Sequence, residues 1–376
     1  MHVISLAAVD FRNYSFVEIN LEPGITTFIG SNGQGKTNLV EAISYCATLS
    51  SHRVAQDLPL IKLNQPRAIV RTGVKFKDRT NWIEIEIWPG KSNKAKLNGS
   101  ECKKTKDVLG ILQTITFSPE DLILVKGDPS ERRYFLDYLL VQKSPVYISL
   151  KTDYERVLKQ RNALLKSSYV SRKNNQDSVL ATLDIWNEQL INLGSQITFQ
   201  RNQLINELLP YVSKAYAELA PSSKALNIKY LPNVASFEMT LDDLKIKMGE
   251  KIKEKQLDEL DRGLTLVGPH RDDVEISIGE LPAKGYASHG ESWSVALALK
   301  LASFDLLKAN SRAGDPVLVL DDVFAELDTT RRNQLISRLN SVEQVLITAA
   351  VNEDVPSELG GKKLFVTNGQ VKETNE

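Results

Sequence analysis

Gly30-Ser31-Asn32-Gly33-Gln34-Gly35-Lys36-Thr37 fits the phosphate-binding loop pattern G-x-x-x-x-G-K-[ST] at every position. Each residue type has a chemical reason. The glycines let backbone N–H groups turn inward around an anion without a Cβ in the way. Lys36 sets a compact cation against the outer phosphates of a nucleotide, and the Thr37 hydroxyl is a ligand for Mg²⁺. Residues 24–29 (GITTFI) read as a short buried strand entering the loop, and residues 38–45 (NLVEAISY) as the helix leaving it. The positive end of that helix adds to the anion site. A chance match in a chain of this length is on the order of one per cent from average residue usage. Ser31, Asn32, Gly33, Gln34 and Gly35 are therefore expected to line the phosphates of ATP with Gly30, Lys36 and Thr37.

The second half of such a site lies far along the chain. Residues 316–322 (PVLVLDD) are an apolar, β-branched run ending in Asp321 and Asp322. A buried strand with acids at its C-terminal end is a Walker B arrangement. The first acid holds Mg²⁺, and the second orients or deprotonates the attacking water. Alone, such a run is an ordinary strand-to-turn junction; paired with the loop at Gly30 it is specific. The wide separation predicts one nucleotide-binding head made from the two ends of the chain, with other material inserted between them.

Residues 286–291 (YASHGE) precede a nearly all-apolar helix from Ser294 to Phe304. The plain reading is a helix N-cap by Ser288 or Ser292. The sharper reading is a cassette-type signature in which Ser288 and Gly290 serve a nucleotide held by a second copy of the chain. The residues around these motifs fill in the frame. Residues 82–88 (WIEIEIW) alternate with period two, as a half-exposed strand does. Pro89-Gly90 and residues 96–100 (KLNGS) are turns. From 130 to 219 the pattern is helical, with Leu183, Trp186, Leu190, Leu193 and Ile197 on one stripe. Residues 167–178 read as a polar loop between two long antiparallel helices. Residues 222–262 read as a small mixed segment ending in a charged helix over 241–260, whose Lys and Asp/Glu form a solvated face. The expected fold is α/β, an ABC-type ATPase head with mixed sheets and helices and an inserted, mostly helical second domain. The expected divisions are 1–130, 131–262 and 263–376.

The bulk properties narrow the partners. The chain has 376 residues, 42% of them hydrophobic, with a formal net charge of zero. Any nucleic-acid contact must rest on a local patch. Cys46 and Cys102 form no CxxC pair, which argues against a zinc site or disulfide framework and suits a reducing cytoplasm. No apolar run reaches the roughly 18 residues of a membrane span, and the N-terminus reads as a first strand rather than a signal peptide. Arg132, Arg133, Arg156, Lys159, Arg161 and Lys166 form a basic stretch. Most such charges are solvated surface; some are candidate phosphate contacts. No base-reading motif is visible, so DNA binding is expected to be sequence-neutral.

Taken together, residues 10–14 (DFRNY), the loop with the following NLVEA, 117–122 (FSPEDL), 127–137 with Arg132-Arg133, 268–273 (GPHRDD), 287–290 (ASHG) and 320–328 (LDDVFAELD) resemble the RecF family of bacterial recombination and repair ATPases, relatives of the SMC and Rad50 heads. The insert is too short for a long coiled coil and has no Cys-x-x-Cys hook. The resemblance implies an ATP-dependent homodimer that binds double-stranded DNA near single-strand junctions. It implies partnership with RecR, and indirectly RecO, in loading RecA on gapped DNA. By the same resemblance Arg12 lies where related heads contact nucleotide, and Asp328 belongs to a dimer-facing D-loop. The family commonly has glutamine where Glu291 stands and arginine near Trp293. A switch histidine is absent, with Thr348 as its counterpart. These departures predict slow hydrolysis, suited to a clamp or timer. A transporter ATPase subunit, which would be more compact and need a membrane partner, and a non-hydrolysing ATP-locked DNA scaffold are the rival readings.

Overall fold

The computed structural model describes residues 1–170, 176–234, 240–311 and 314–373. They form two compact units. One comprises Met1–Val125, Tyr211–Ala225 and Ala287–Glu376; the other comprises Lys126–Pro210 and Leu226–Tyr286.

The first unit carries two six-stranded sheets. The antiparallel one runs Tyr14–Asn20, His2–Phe11, Ala68–Phe76, Arg79–Ile87, Lys94–Leu97, Ser100–Glu101. Its alternation follows the sequence: Ile83, Ile85 and Ile87 are buried, while Glu84 and Glu86 face outward to Arg71, Lys96 and Arg67. Asn98 and Gly99, both at positive φ, make the turn inside residues 96–100. The second sheet runs Gln370–Lys372, Lys362–Thr367, Gly24–Ile29, Gln344–Ala349, Val317–Asp321, Thr114–Phe117. All its pairings are parallel except the terminal hairpin. Near-continuous burial of residues 317–321 and 344–349 is what a parallel sheet covered on both faces requires.

Helix Lys36–Thr48 packs against both sheets and is buried from Leu39 through Thr48. Its Leu39, Val40, Ile43 and Tyr45 join Val3, Leu6, Phe28, Val70, Ile85, Val319 and Leu346 in one core cluster. Residues from the two ends of the sequence share that core. The Gln344 side chain also stitches them, accepting from the Val3 N–H at 2.7 Å and donating to its carbonyl at 2.8 Å.

The second unit holds helices Pro129–Lys143, Tyr147–Val170, the greater part of Gln176–Leu219, and Leu241–Arg262, with a three-stranded sheet in the order Leu281–Pro282, Asp273–Ile278, Leu226–Leu231. The polar loop expected over 167–178 is narrower than the composition suggests. Helix continues to Val170 and resumes at Gln176, and 171–175 lie outside the described residues. Helix Leu241–Arg262 is capped by Thr240 in a capping box with Asp243 and stopped by Gly263 in the left-handed region.

The interior of this unit holds several buried charged side chains, and it corrects the reading of the basic stretch. Arg161 is fully buried, bonded to Glu259 at 2.5 Å, Thr265 at 2.8 Å and Asn187 at 2.9 Å. Arg132 is buried on Asp273 at 2.7 Å. Arg133 donates to the Asp272 carbonyl at 2.7 Å. Arg161 and Arg132 are fold-building cations, unavailable to DNA phosphate; Arg156, Lys159 and Lys166 are exposed. Arg201 forks onto Asp137 at 2.9 Å through both Nε and Nη2, and Asp272 accepts from Tyr230, Thr198 and the Asn233 N–H. Removing one member of such a buried pair strands the other, at a cost of about 3–5 kcal/mol.

His270 belongs to the same interior. Its Nδ1 lies 2.7 Å from the Tyr154 hydroxyl and its Nε2 lies 3.2 Å from the Thr265 carbonyl. A neutral ring with hydrogen on Nε2 satisfies both contacts. Burial, with the nearby Arg271 and Arg133 charges, pulls its pKa down to about 4, against the bond to Thr265. The unfolded ring, at about 6.5, takes up a proton first on acidification. Stability is therefore intact above pH ~6.5 and falls by up to about 3 kcal/mol as pH drops towards 4. Denaturant unfolding followed by far-ultraviolet circular dichroism should show this slope, and His270→Gln should flatten it. An unchanged slope in the variant would contradict a buried neutral histidine.

Candidate functional site

The loop joins strand Gly24–Ile29 to helix Lys36–Thr48, and its course is fixed by close approaches. A Cβ on Gly30 would stand 2.2 Å from the Val366 carbonyl oxygen. One on Gly35 (φ +116°) would stand 2.6 Å from the Tyr14 hydroxyl oxygen and 2.8 Å from Asn13 Nδ2. Neither site can accept a side chain, so the glycine spacing is a packing requirement as well as a conformational one. Gly33 also has positive φ (+84°). Ser31, Asn32 and Gly33 are exposed, whereas Lys36 is buried and donates to the Ser31 carbonyl at 3.3 Å, curling over its own loop. Helix Lys36–Thr48 starts at Gly35 with no side-chain cap and no acid in its first turn. Its leading N–H groups and positive dipole end are left for an external anion.

Strand order brings the acids to this loop. Strand Gln344–Ala349 lies between Gly24–Ile29 and Val317–Asp321, with Asp321 opposite Thr348 and Thr348 opposite Phe28. All three strands point the same way, so their carboxyl ends open on one crevice, where ligands of open α/β sheets sit. There Thr37 Oγ1 donates to Asp321 Oδ1 at 2.9 Å, and Thr348 Oγ1 donates to the same oxygen at 2.5 Å. Thr348 also accepts from the Asp322 N–H at 2.9 Å, holding Asp322 in a left-handed conformation (φ +53°) at the strand end. Burial pushes the Asp321 carboxyl up to about 6; the two threonine bonds oppose this, and the Asp322 and Glu120 charges reinforce it. A buried carboxylate so placed gains from a divalent cation.

A hydroxyl and one carboxylate oxygen side by side suit Mg²⁺, which takes few protein ligands and completes its shell with phosphate and water. Among the described residues no group of three or more His, Cys, Asp or Glu forms a metal cage. The loop and the strand acids fit a metal–nucleotide complex better than a dedicated metal site.

Arg12 lies in the turn between the first two strands, at positive φ, next to Asn13, which donates to the Gln34 carbonyl at 3.1 Å. Its guanidinium forks onto Glu41 at 2.8 and 2.5 Å and donates to the Pro59 carbonyl at 3.1 Å. Burial alone would raise Glu41; bonds from Arg12 and Ser51 outweigh it and hold the carboxylate below its usual range. Glu41 was not singled out from sequence. A charged residue on a helix otherwise buried all round is the signal that could have found it.

Ser288 and Gly290 form a separate cluster at the start of helix His289–Asn310. Ser288 is the N-cap, accepting from the Glu291 N–H at 3.2 Å, while Glu291 accepts from the Ser288 N–H at 2.9 Å. These bonds lower the Glu291 pKa, with a smaller contribution from Arg331. Arg331 also donates to Ser294 Oγ at 2.6 Å and to Asp328, linking helix Thr329–Leu339 to the signature helix. Trp293 does not face this surface: it is buried, edge-on to Phe117 at 5.6 Å between ring centroids, with its N–H on His289 at 3.0 Å. Its bulk belongs to the core.

The RecF/RecN/SMC N-terminal domain family matches residues 2–371. The DNA replication and repair protein RecF of Streptomyces avermitilis is 50% identical over 373 residues, covering 99% of this chain and 100% of its own. That of Kineococcus radiotolerans is 48% identical, covering 98% of each. A solved structure of the recombination mediator protein RecF with ATP, from the RecFOR pathway, superposes with a TM-score of 0.90 at 29% identity, over 98% of this chain and 96% of that one. An Smc head domain derived from Pyrococcus furiosus shares the fold, with a TM-score of 0.53 at 17% identity over 99% of this chain and 95% of its own. With half of its residues identical to a RecF protein along the full length of both, the chain belongs to the RecF family of DNA replication and repair proteins.

Proposed function

We propose that this chain binds MgATP between the loop 30–37 and Asp321–Asp322, closes on a second copy through Ser288 and Gly290, and resets by slow hydrolysis. The observation that carries the reading is the 2.9 Å bond from Thr37 to Asp321, which joins loop and acid strand across 284 residues at the mouth of a parallel sheet. Gly30 through Gly35 wrap the phosphates with backbone N–H groups, and Lys36 swings from the Ser31 carbonyl to the outer phosphates. Thr37 and Asp321 would hold the metal, which would supply charge neutralisation. Asp322, aimed by Thr348, orients and deprotonates water. Arg12 buttresses the loop through Asn13 and Glu41 rather than reaching for the ligand itself. The Ser288–Glu291 capping box reconciles Glu291 with a phosphate-facing turn, because its carboxylate is directed to its own helix start.

In this reading the closed dimer grips double-stranded DNA at gaps or junctions and acts with RecR, and indirectly RecO, to load RecA. The solved RecF–ATP relative in the RecFOR pathway supports ATP as the ligand and this pathway as the setting. The family match over residues 2–371 and the full-length identity to a RecF protein favour the DNA clamp over a transporter subunit. ATPase assays with and without duplex DNA separate the clamp, which DNA stimulates, from a scaffold without turnover.

Lys36→Ala should abolish ATP binding in calorimetry, since no neighbouring cation replaces it. Asp322→Asn should bind ATP normally yet lose hydrolysis, because an amide is no base. Normal ATP affinity in Lys36→Ala would refute the loop assignment.

ATP should raise duplex-DNA affinity in filter-binding titrations. That affinity should fall steeply with salt and hardly vary with sequence. Equal DNA affinity with and without ATP would sink the clamp.

Ser288→Arg should keep monomer ATP binding and lose ATP-dependent dimerisation in sedimentation, with ADP never supporting a dimer. A wild-type monomer under ATP would count against a site shared between copies.

A further inference from the structure

The loop is gripped at Gln34–Gly35 by two β-turns from different sheets. From the antiparallel sheet, Asn13 donates through Nδ2 to the Gln34 carbonyl at 3.1 Å, and its Oδ1 accepts from Asn38 Nδ2 at 2.8 Å. Tyr14, next in sequence, fills the space a Gly35 Cβ would need; its hydroxyl is buried and without a hydrogen-bond partner. From the parallel sheet, the C-terminal hairpin of Lys362–Thr367 and Gln370–Lys372 turns at Asn368 (φ +50°) and Gly369 (φ +73°). The Asn368 N–H donates to Gln34 Oε1 at 2.5 Å, across 334 residues of sequence. The same hairpin sets the Val366 carbonyl against Gly30, and a Cβ added at Gly369 would stand 3.8 Å from the Tyr14 ring. Gln34 is the only residue of the loop whose side chain and carbonyl are each held by a different turn, among the described residues.

We propose that Gln34 is a positioning residue for nucleotide and that the C-terminal hairpin is a working part of the phosphate site. The proposal rests on the nucleotide reading above. Gln34 immediately precedes Gly35 and Lys36, so its two bonds set where the helix N-terminus and the lysine ammonium begin. With both turns engaged, the loop N–H groups are arranged before the phosphates arrive, and binding need not order them. With the Asn368 bond removed, binding itself must order the loop. The loss falls on affinity for any nucleotide carrying α- and β-phosphates. Coupling runs both ways: phosphates that steady the loop also steady the hairpin.

The full-length protein is titrated with MgADP and MgATP, and amide hydrogen exchange is followed over residues 362–372. Gln34→Met keeps length and loses the acceptor. It should weaken both nucleotides together, by roughly three- to tenfold. Exchange at Asn368 should quicken in Gln34→Met without nucleotide and return to the wild-type rate in Gln34→Glu, which retains an acceptor. MgADP should slow hairpin exchange in wild type and fail to do so in Gln34→Met. Wild-type affinity in Gln34→Met, or hairpin exchange in wild type indifferent to MgADP, would overturn the proposal. If Gln34→Met does not fold, the wild-type exchange experiment decides alone. A wild type that binds neither nucleotide refutes the nucleotide reading instead.

Discussion

The candidate site depends on one constraint: strands Gly24–Ile29 and Val317–Asp321 must flank Gln344–Ala349 in parallel and in register. Only then do Thr37 and Asp321 meet at 2.9 Å. A one-residue slip in either pairing would turn the side chain at 321 to the opposite face. The register is held by burial on both faces of the sheet, and by Gln344, whose amide pairs with both backbone groups of Val3. The chemistry at the sheet's mouth is thus set by core packing well away from it. Thr348 joins the two scales, since it is a ladder residue that also bonds Asp321 and orients Asp322.

The second unit is organised by polar burial rather than by an apolar face alone. Arg161 with Glu259 and Arg201 with Asp137 are ion pairs buried within it. Such pairs are weak sources of stability and strict conditions on geometry. The forks on Asp137 and Asp273 join segments far apart in sequence, and each is satisfied only when those segments lie correctly. Residues 268–273 (GPHRDD) are the densest such piece. Within them, Pro269 offers its carbonyl to Arg201, His270 is held neutral, and Asp272 collects three donors.

Much of this was legible in the sequence, and the rest was hidden for identifiable reasons. The loop, the acid strand and the alternating strand over 82–88 carry their own local patterns, so they read correctly. The family resemblance drawn from seven short motifs agrees with full-length identity to RecF proteins. What misled was charge without context. Arg132 and Arg161 look like surface basic residues until their distant acids, Asp273 and Glu259, are placed beside them. Trp293 sits among signature residues in sequence, but a helix turns successive residues by about 100°, which sends its ring to Phe117 and the core. Glu291, which stands where the family commonly has glutamine, is half of a capping box, a pattern visible in Ser288-x-x-Glu291 itself. The Gln34–Asn368 bond had no local signal at all.

The central claim is that Thr37 and Asp321 act as one metal-holding pair. The direct measurement is a double-mutant cycle on Mn²⁺ affinity, read by electron paramagnetic resonance with saturating ADP, for wild type, Thr37→Val, Asp321→Asn and the double variant. If the two residues share one ion, each single change should weaken Mn²⁺ binding about tenfold or more, and the double should lose little beyond the worse single. Strictly additive losses, or wild-type affinity in either single variant, would contradict the account.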